Sequence, residues 1–158
     1  MKHTSRAGRV LGPALGVVFL AGIISSPAFA GLGGDASSIT TDAAKMRGQA
    51  SSTPAGGYTV SQITLPSGTV LNEYVSAEGK VFAVTWKGAA FPDLSQALGA
   101  YFAEYKAAAA ATPHSGHHHL TVQDSDLVVT TSGHMRAWRG VAYVPSLLPP
   151  NFSLGGIK

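Results

Sequence analysis

The sequence contains no cysteine. Disulfides, thiol nucleophiles and thiolate metal ligands are all excluded at once, and the fold must be held by its apolar core. Charge is sparse too, at 12% of residues. The formal +3 comes from Lys2, Arg6 and Arg9, since eleven Lys/Arg less these three leaves eight, against eight Asp/Glu. A near-neutral body gives no basic patch for nucleic acid or an anionic membrane, and Arg136 with Arg139 is the nearest approach to one. Familiar catalytic signatures are missing as well. No G-x-S-x-G elbow, S-x-x-K, H-E-x-x-H or Gly-rich phosphate loop occurs, so no catalytic residue is named and the chain does not read as an enzyme. Asp124-x-Asp126 could open a calcium loop, but Leu127 and Val128 stand where ligands are needed, so a surface turn is expected.

What is present begins at the N-terminus. The basic residues Lys2, Arg6 and Arg9 precede an apolar run to Ile24, and Ala28 and Ala30 form an A-x-A site after Pro27. Pro13 interrupts the run, which is shorter than the roughly 20 residues of a spanning helix. The pattern predicts a Sec-type signal peptide over residues 1–30, a periplasmic or secreted protein, and no membrane span after cleavage.

Residues 31–57 have no aromatic side chain and are dominated by Gly, Ala, Ser and Thr, which predicts a flexible segment with a helical turn or two over Asp42–Met46. Residues 58–150 read as a single α+β domain, with 151–158 as a tail. "YTVSQITL", "TVLNEYVS" and "KVFAVTWKG" are β-branched runs separated by Pro66-Ser67-Gly68 and Glu78-Gly79, a three-strand meander. Alternation puts Phe82, Val84 and Trp86 on one face of the third strand. Leu94, Leu98, Tyr101, Phe102 and Tyr105 then fall on one stripe of a single long helix started by Asp93 and stopped by Pro113. Three further strands follow, the last alternating from Met135 to Val144. The fold class expected is α+β, an antiparallel sheet of about six strands with one long helix packed on one face.

The strings "LPSGTVLNEYVSAEGKVFAVTWKGAAFPDLSQALGAYF" and "DLVVTTSGHMRAWRGVAYVP" resemble the hallmark segments of a family of exported bacterial proteins catalogued as domain of unknown function 2844. The resemblance covers residues 31–150. It implies export and supplies no catalytic or binding residues to carry over.

Two side-chain groups are candidates for chemistry. His134, Arg136 and Trp138 alternate onto one face of a strand and could bind a carboxylate or a sugar through charge-assisted bonds and stacking. The structural alternative is a strand end fixed by backbone contacts or by a salt bridge to Glu73 or Asp93. "HSGHHHL" places His114, His117, His118 and His119 within six positions, between the two family-like segments. Imidazoles suit Zn, Cu or Ni, and Asp124 or Asp126 could add an oxygen ligand across the hairpin. Pro113 and Gly116 argue against a preformed helix, so weak binding or a plain soluble loop are the alternatives. The sequence therefore predicts a non-catalytic exported binding module with an unknown envelope or extracellular partner. The second reading is a periplasmic transition-metal-binding protein using the His114–His119 loop.

Overall fold

The computed structural model describes residues 31–112 and 119–157, so the signal peptide expected over residues 1–30 lies outside the described residues. Among these, seven strands form one antiparallel sheet: β1 (Gln49–Pro54), β2 (Tyr58–Thr64), β3 (Val70–Ser76), β4 (Val81–Gly88), β5 (His119–Asp124), β6 (Leu127–His134) and β7 (Ala137–Tyr143). Their spatial order is β1-β2-β3-β4-β7-β6-β5, two meanders joined where β4 pairs with β7. Three helices, α1 (Ile39–Lys45), α2 (Leu94–Ala97) and α3 (Phe102–Ala111), contribute to one core on one face of the sheet. The α+β class and the antiparallel sheet stand as expected. The sheet has seven strands where about six were expected, and the long helix is divided.

Turn chemistry explains the first meander. Gly68 adopts φ +78° and donates to Leu65 O, while Gly79 adopts φ +80° and donates to Ser76 O, so each closes a tight reversal that an L side chain resists. The helix face then buries Ile63, Leu71, Val84 and Trp86 of this meander with Val129 and Ala142 of the other. Each such side chain stabilises the fold by roughly 1.5–3 kcal/mol.

Four local expectations are corrected. The segment 31–57 is not a flexible tether. Leu32 is buried and its N–H donates to Ala97 O, Gly33 N donates to Val81 O, and α1 and β1 follow. Composition hid this because β1 is exposed on both faces and is held by backbone pairing with β2. The helical region breaks at Gly99, whose φ of +50° ends α2 and opens a 3-10 turn before α3. Phe82 leaves the face of Val84 and Trp86, because a register shift opposite Tyr74 and Val75 inserts an extra residue into β4. Finally, residues 134–144 are not one strand. Met135 and Arg136 form a hairpin turn between β6 and β7, with Arg136 at φ +66°.

The second face carries a smaller aromatic cluster at one end only. Tyr58, Tyr74 and Phe82 pack there against Phe152 of the C-terminal tail, with the Phe82 and Phe152 rings 4.8 Å apart and near perpendicular. No other helix or strand of the described residues covers this face.

Candidate functional site

Strand alternation sends every second residue of the sheet to the open face, and the register across strands lines these residues up in rows. One row runs Ser51–Gln62–Asn72–Thr85–Val141–Thr130–Thr121 across all seven strands. Six of its seven members carry a hydroxyl or amide. They bond to one another: Gln62 Nε2 donates to Asn72 Oδ1 at 3.3 Å, Asn72 Nδ2 to Thr85 Oγ1 at 3.3 Å, and the Thr121 and Thr130 hydroxyls lie 3.4 Å apart. All three bonds are long; those of Gln62 and of Thr121 with Thr130 are exposed, while the Thr85 hydroxyl is buried.

The neighbouring row carries the charge. Lys87 of β4 stands directly opposite Arg139 of β7, and Ser132 and His119 continue the row onto β6 and β5. Like charges placed opposite each other on a sheet are destabilising. The ion pairs among the described residues are Lys45–Asp42 and Lys80–Asp35, so neither Lys87 nor Arg139 has a carboxylate partner there. The central members of both rows, Asn72, Thr85, Val141 and Thr130 of the first and Lys87, Arg139 and Ser132 of the second, line an open groove of about 860 Å³ that Ile157 of the tail also borders. Its described lining holds two cations, several hydroxyls and an amide, and no carboxylate or histidine.

The expected trio is only partly brought together. Trp138 pairs with Gly133 across the β6–β7 hairpin and its ring packs 4.7 Å from that of Phe91, which holds it as a wall and not as a free platform. His134 is exposed at the end of β6, with Nδ1 3.2 Å from Met135 O. By register it lies one residue beyond Gly133, and so on the opposite face from Trp138. Arg136 sits in the turn and shares a small depression with Lys87, Trp138 and Arg139. Among the described residues neither His134 nor Arg136 forms the salt bridge to Glu73 or Asp93: Glu73 is fully buried and Asp93 Oδ1 accepts from Ser95 N at 2.9 Å. The Ser95 hydroxyl, which donates to the same oxygen at 2.6 Å, is the main cause that holds the Asp93 carboxyl below its usual range, with the backbone N–H groups adding to it.

Of the histidine loop, His114, His117 and His118 lie outside the described residues. His119 opens β5, its Nε2 3.2 Å from Thr121 Oγ1, in line with Ser132 and Arg139. Asp124 and Asp126 do not face it. Asp124 ends β5 five residues later, roughly 17 Å away at 3.4 Å per residue. Its carboxylate accepts from Ser125 N, while Asp126 accepts from both the N–H and the hydroxyl of Ser146. They serve as turn fixtures, and among the described residues no three His, Asp or Glu side chains are grouped to hold a metal ion.

Lys87, Asn72 and Thr85 were missed from sequence because only the β4–β7 and β3–β4 registers bring them beside Arg139 and Thr130. The polar positions were visible as the alternate residues of strands, and the pairing was not.

Among the described residues no helix is long and apolar enough to cross a membrane. No curated protein and no solved structure matches the chain. A family model described as protein of unknown function (DUF2844) matches residues 28–157, a span that takes in the whole sheet and its groove. The chain belongs to that family.

Proposed function

We propose that the protein is an exported, non-catalytic binding module whose open sheet face takes an extended acidic glycan. The observation that carries this reading is the Lys87–Arg139 couple, which has no carboxylate partner among the described residues and is set beside the hydroxyls and the Asn72 amide of one groove. A uronate carboxylate relieves the repulsion between the two cations, and a guanidinium grips it in a planar, two-point manner. Sugar hydroxyls exchange hydrogen bonds with Asn72, Thr130 and Ser132 of the groove, which act as donors and acceptors at once. A described lining that holds no carboxylate or imidazole favours holding over cleaving, since glycoside hydrolysis generally needs a pair of carboxyl groups. Export is supported by the basic, apolar and A-x-A segments at the N-terminus.

Calorimetric titration of the full-length chain with oligogalacturonate tests the reading, beside the methyl-esterified oligomer and a neutral oligosaccharide. Binding of the acidic oligomer alone, weakened by salt and lost in Lys87→Ala and Arg139→Ala, is expected. Equal binding of the esterified oligomer, or unchanged affinity in both variants, would falsify it.

A further inference from the structure

The opposite face of the same strands holds a pair of groups that the groove does not use. Asp42 on α1 is 2% exposed and Glu73 in the middle of β3 is 0% exposed. Among the described residues, both oxygens of Glu73 and Oδ2 of Asp42 lack a hydrogen-bond partner. Asp42 Oδ1 has Lys45 Nζ at 4.0 Å, at the outer limit of an ion pair, with the lysine half exposed. Among the described residues the packed elements offer no other compensation. Lys45 is the remaining charged side chain of α1, β1 and β2 carry no charged residue, and the residues opposite Glu73 are Ser61 and Val84. Two unpaired carboxylates buried side by side are unstable, and one with a retained proton is tolerable.

We propose that Asp42 and Glu73 form a proton-operated latch that holds α1 against the sheet. With a proton on the pair, α1 lies closed over β1, β2 and β3. When that proton passes to solvent, both carboxylates are negative in an apolar seam, and α1 swings away so that water can reach them. Burial first, and the nearby Asp42 second, push the Glu73 carboxyl up to about 8. Burial also raises Asp42, opposed by Lys45. The element that yields is α1, because β3 is paired on both sides while α1 has seven residues and no side-chain cap at its N-terminus. The segment ahead of it stays tied by the Leu32–Ala97 and Gly33–Val81 backbone bonds and by the Lys80–Asp35 ion pair at 2.7 Å. Opening is therefore a local swing of a tethered helix. The latch stands independently of what the groove binds.

Hydrogen exchange of the full-length chain, corrected for the intrinsic pH dependence of exchange, reads this opening directly. Between about pH 6 and about pH 9 the amides of α1 should lose protection at least about tenfold relative to β6 and β7, the equivalent of one pKa unit. Glu73→Gln and Asp42→Asn should each abolish that differential loss. Should Glu73→Gln not fold, Asp42→Asn and the wild-type profile still decide. A parallel loss of protection in α1 and all strands, or a differential loss that persists in the folded variants, overturns the proposal.

Discussion

Gly140 of β7 lies directly beneath the indole of Trp86, its neighbour on β4, so closely that a Cβ at position 140 would stand 2.1 Å from Trp86 Cζ2. The ring fills the space a side chain would occupy, and the two residues together close the seam between the meanders. Gly140→Ala therefore overpacks the core. It should cost about 1–3 kcal/mol or more of stability. Urea unfolding measures this, and Trp86→Phe in the same chain should recover part of the loss, because the smaller ring leaves room.

Thr69 is buried just before β3, and its hydroxyl donates to Ala90 O at 2.8 Å and accepts from Ala90 N at 3.4 Å. It ties the exit of β4 to the start of β3, its partner strand. Thr69→Val keeps the shape and removes both bonds. A loss of about 1–3 kcal/mol is expected, since the Ala90 groups are left unsatisfied. A thermal melt that matches wild type would show that water replaces the hydroxyl.

Glu73 makes stability depend on pH in a defined window. Its folded value of about 8 lies above the ordinary 4.5, so the native state keeps a proton that the unfolded chain releases. The contribution of this group is fully present below about pH 4.5 and is lost as pH rises through about 8. Over that interval stability should fall by up to about 1.4 kcal/mol per pH unit from this group. Glu73→Gln should flatten the slope, as measured by denaturant midpoints at a series of pH values.

Lys87 and Arg139 predict a conflict between stability and binding. Replacing either with Gln removes a like-charge cross-strand contact and should raise stability by a few tenths of a kcal/mol at low salt, an increment that fades as salt rises. The same substitutions should weaken the acidic oligomer. A variant that loses both stability and affinity would mean that the two side chains support the fold and do not strain it.

The histidine run and the two aspartates should behave independently. Replacing His114, His117, His118 and His119 by Ala should remove any Cu(II), Ni(II) or Zn(II) binding seen by calorimetry. Asp124→Ala and Asp126→Ala should leave it unchanged, because both carboxylates lie beyond the far end of β5 from His119 and are engaged at Ser125 and Ser146. Asp126→Ala should instead loosen the contact of the β5–β6 turn with the segment after β7.

Much of the fold was legible in the sequence. Strands β2, β3 and β4 and their two turns follow from β-branched runs bounded by Pro66-Ser67-Gly68 and Gly79, which are local signals. β1 was illegible because neither of its faces is buried, so no apolar period marks it. The division of the helix turned on the conformation of Gly99, and the displacement of Phe82 on a bulge, which are single-residue events that a periodicity argument averages away. The Met135–Arg136 turn was read as strand because it contains neither Gly nor Pro, and Arg136 takes the left-handed conformation that usually announces them. At the site, Arg139 and His119 were visible as residue types, whereas the row they share with Lys87 depends on three strand registers.

The central seam has a consequence for how the chain reaches this structure. Ala83 meets Tyr143 across β4 and β7, roughly sixty residues further on, whereas every other strand pair joins neighbours in sequence. Each meander forms from short hairpins in microseconds, and closing the long connection between them sets the slow step. Gly140→Ala and substitutions at Trp86 should then slow folding, while changes confined to the β1–β2 or β5–β6 hairpins should chiefly speed unfolding. Until that seam closes, β4 and β7 each present a bare edge, Val84 and Trp86 are uncovered, and a crowded nascent chain is most exposed to pairing with the wrong partner.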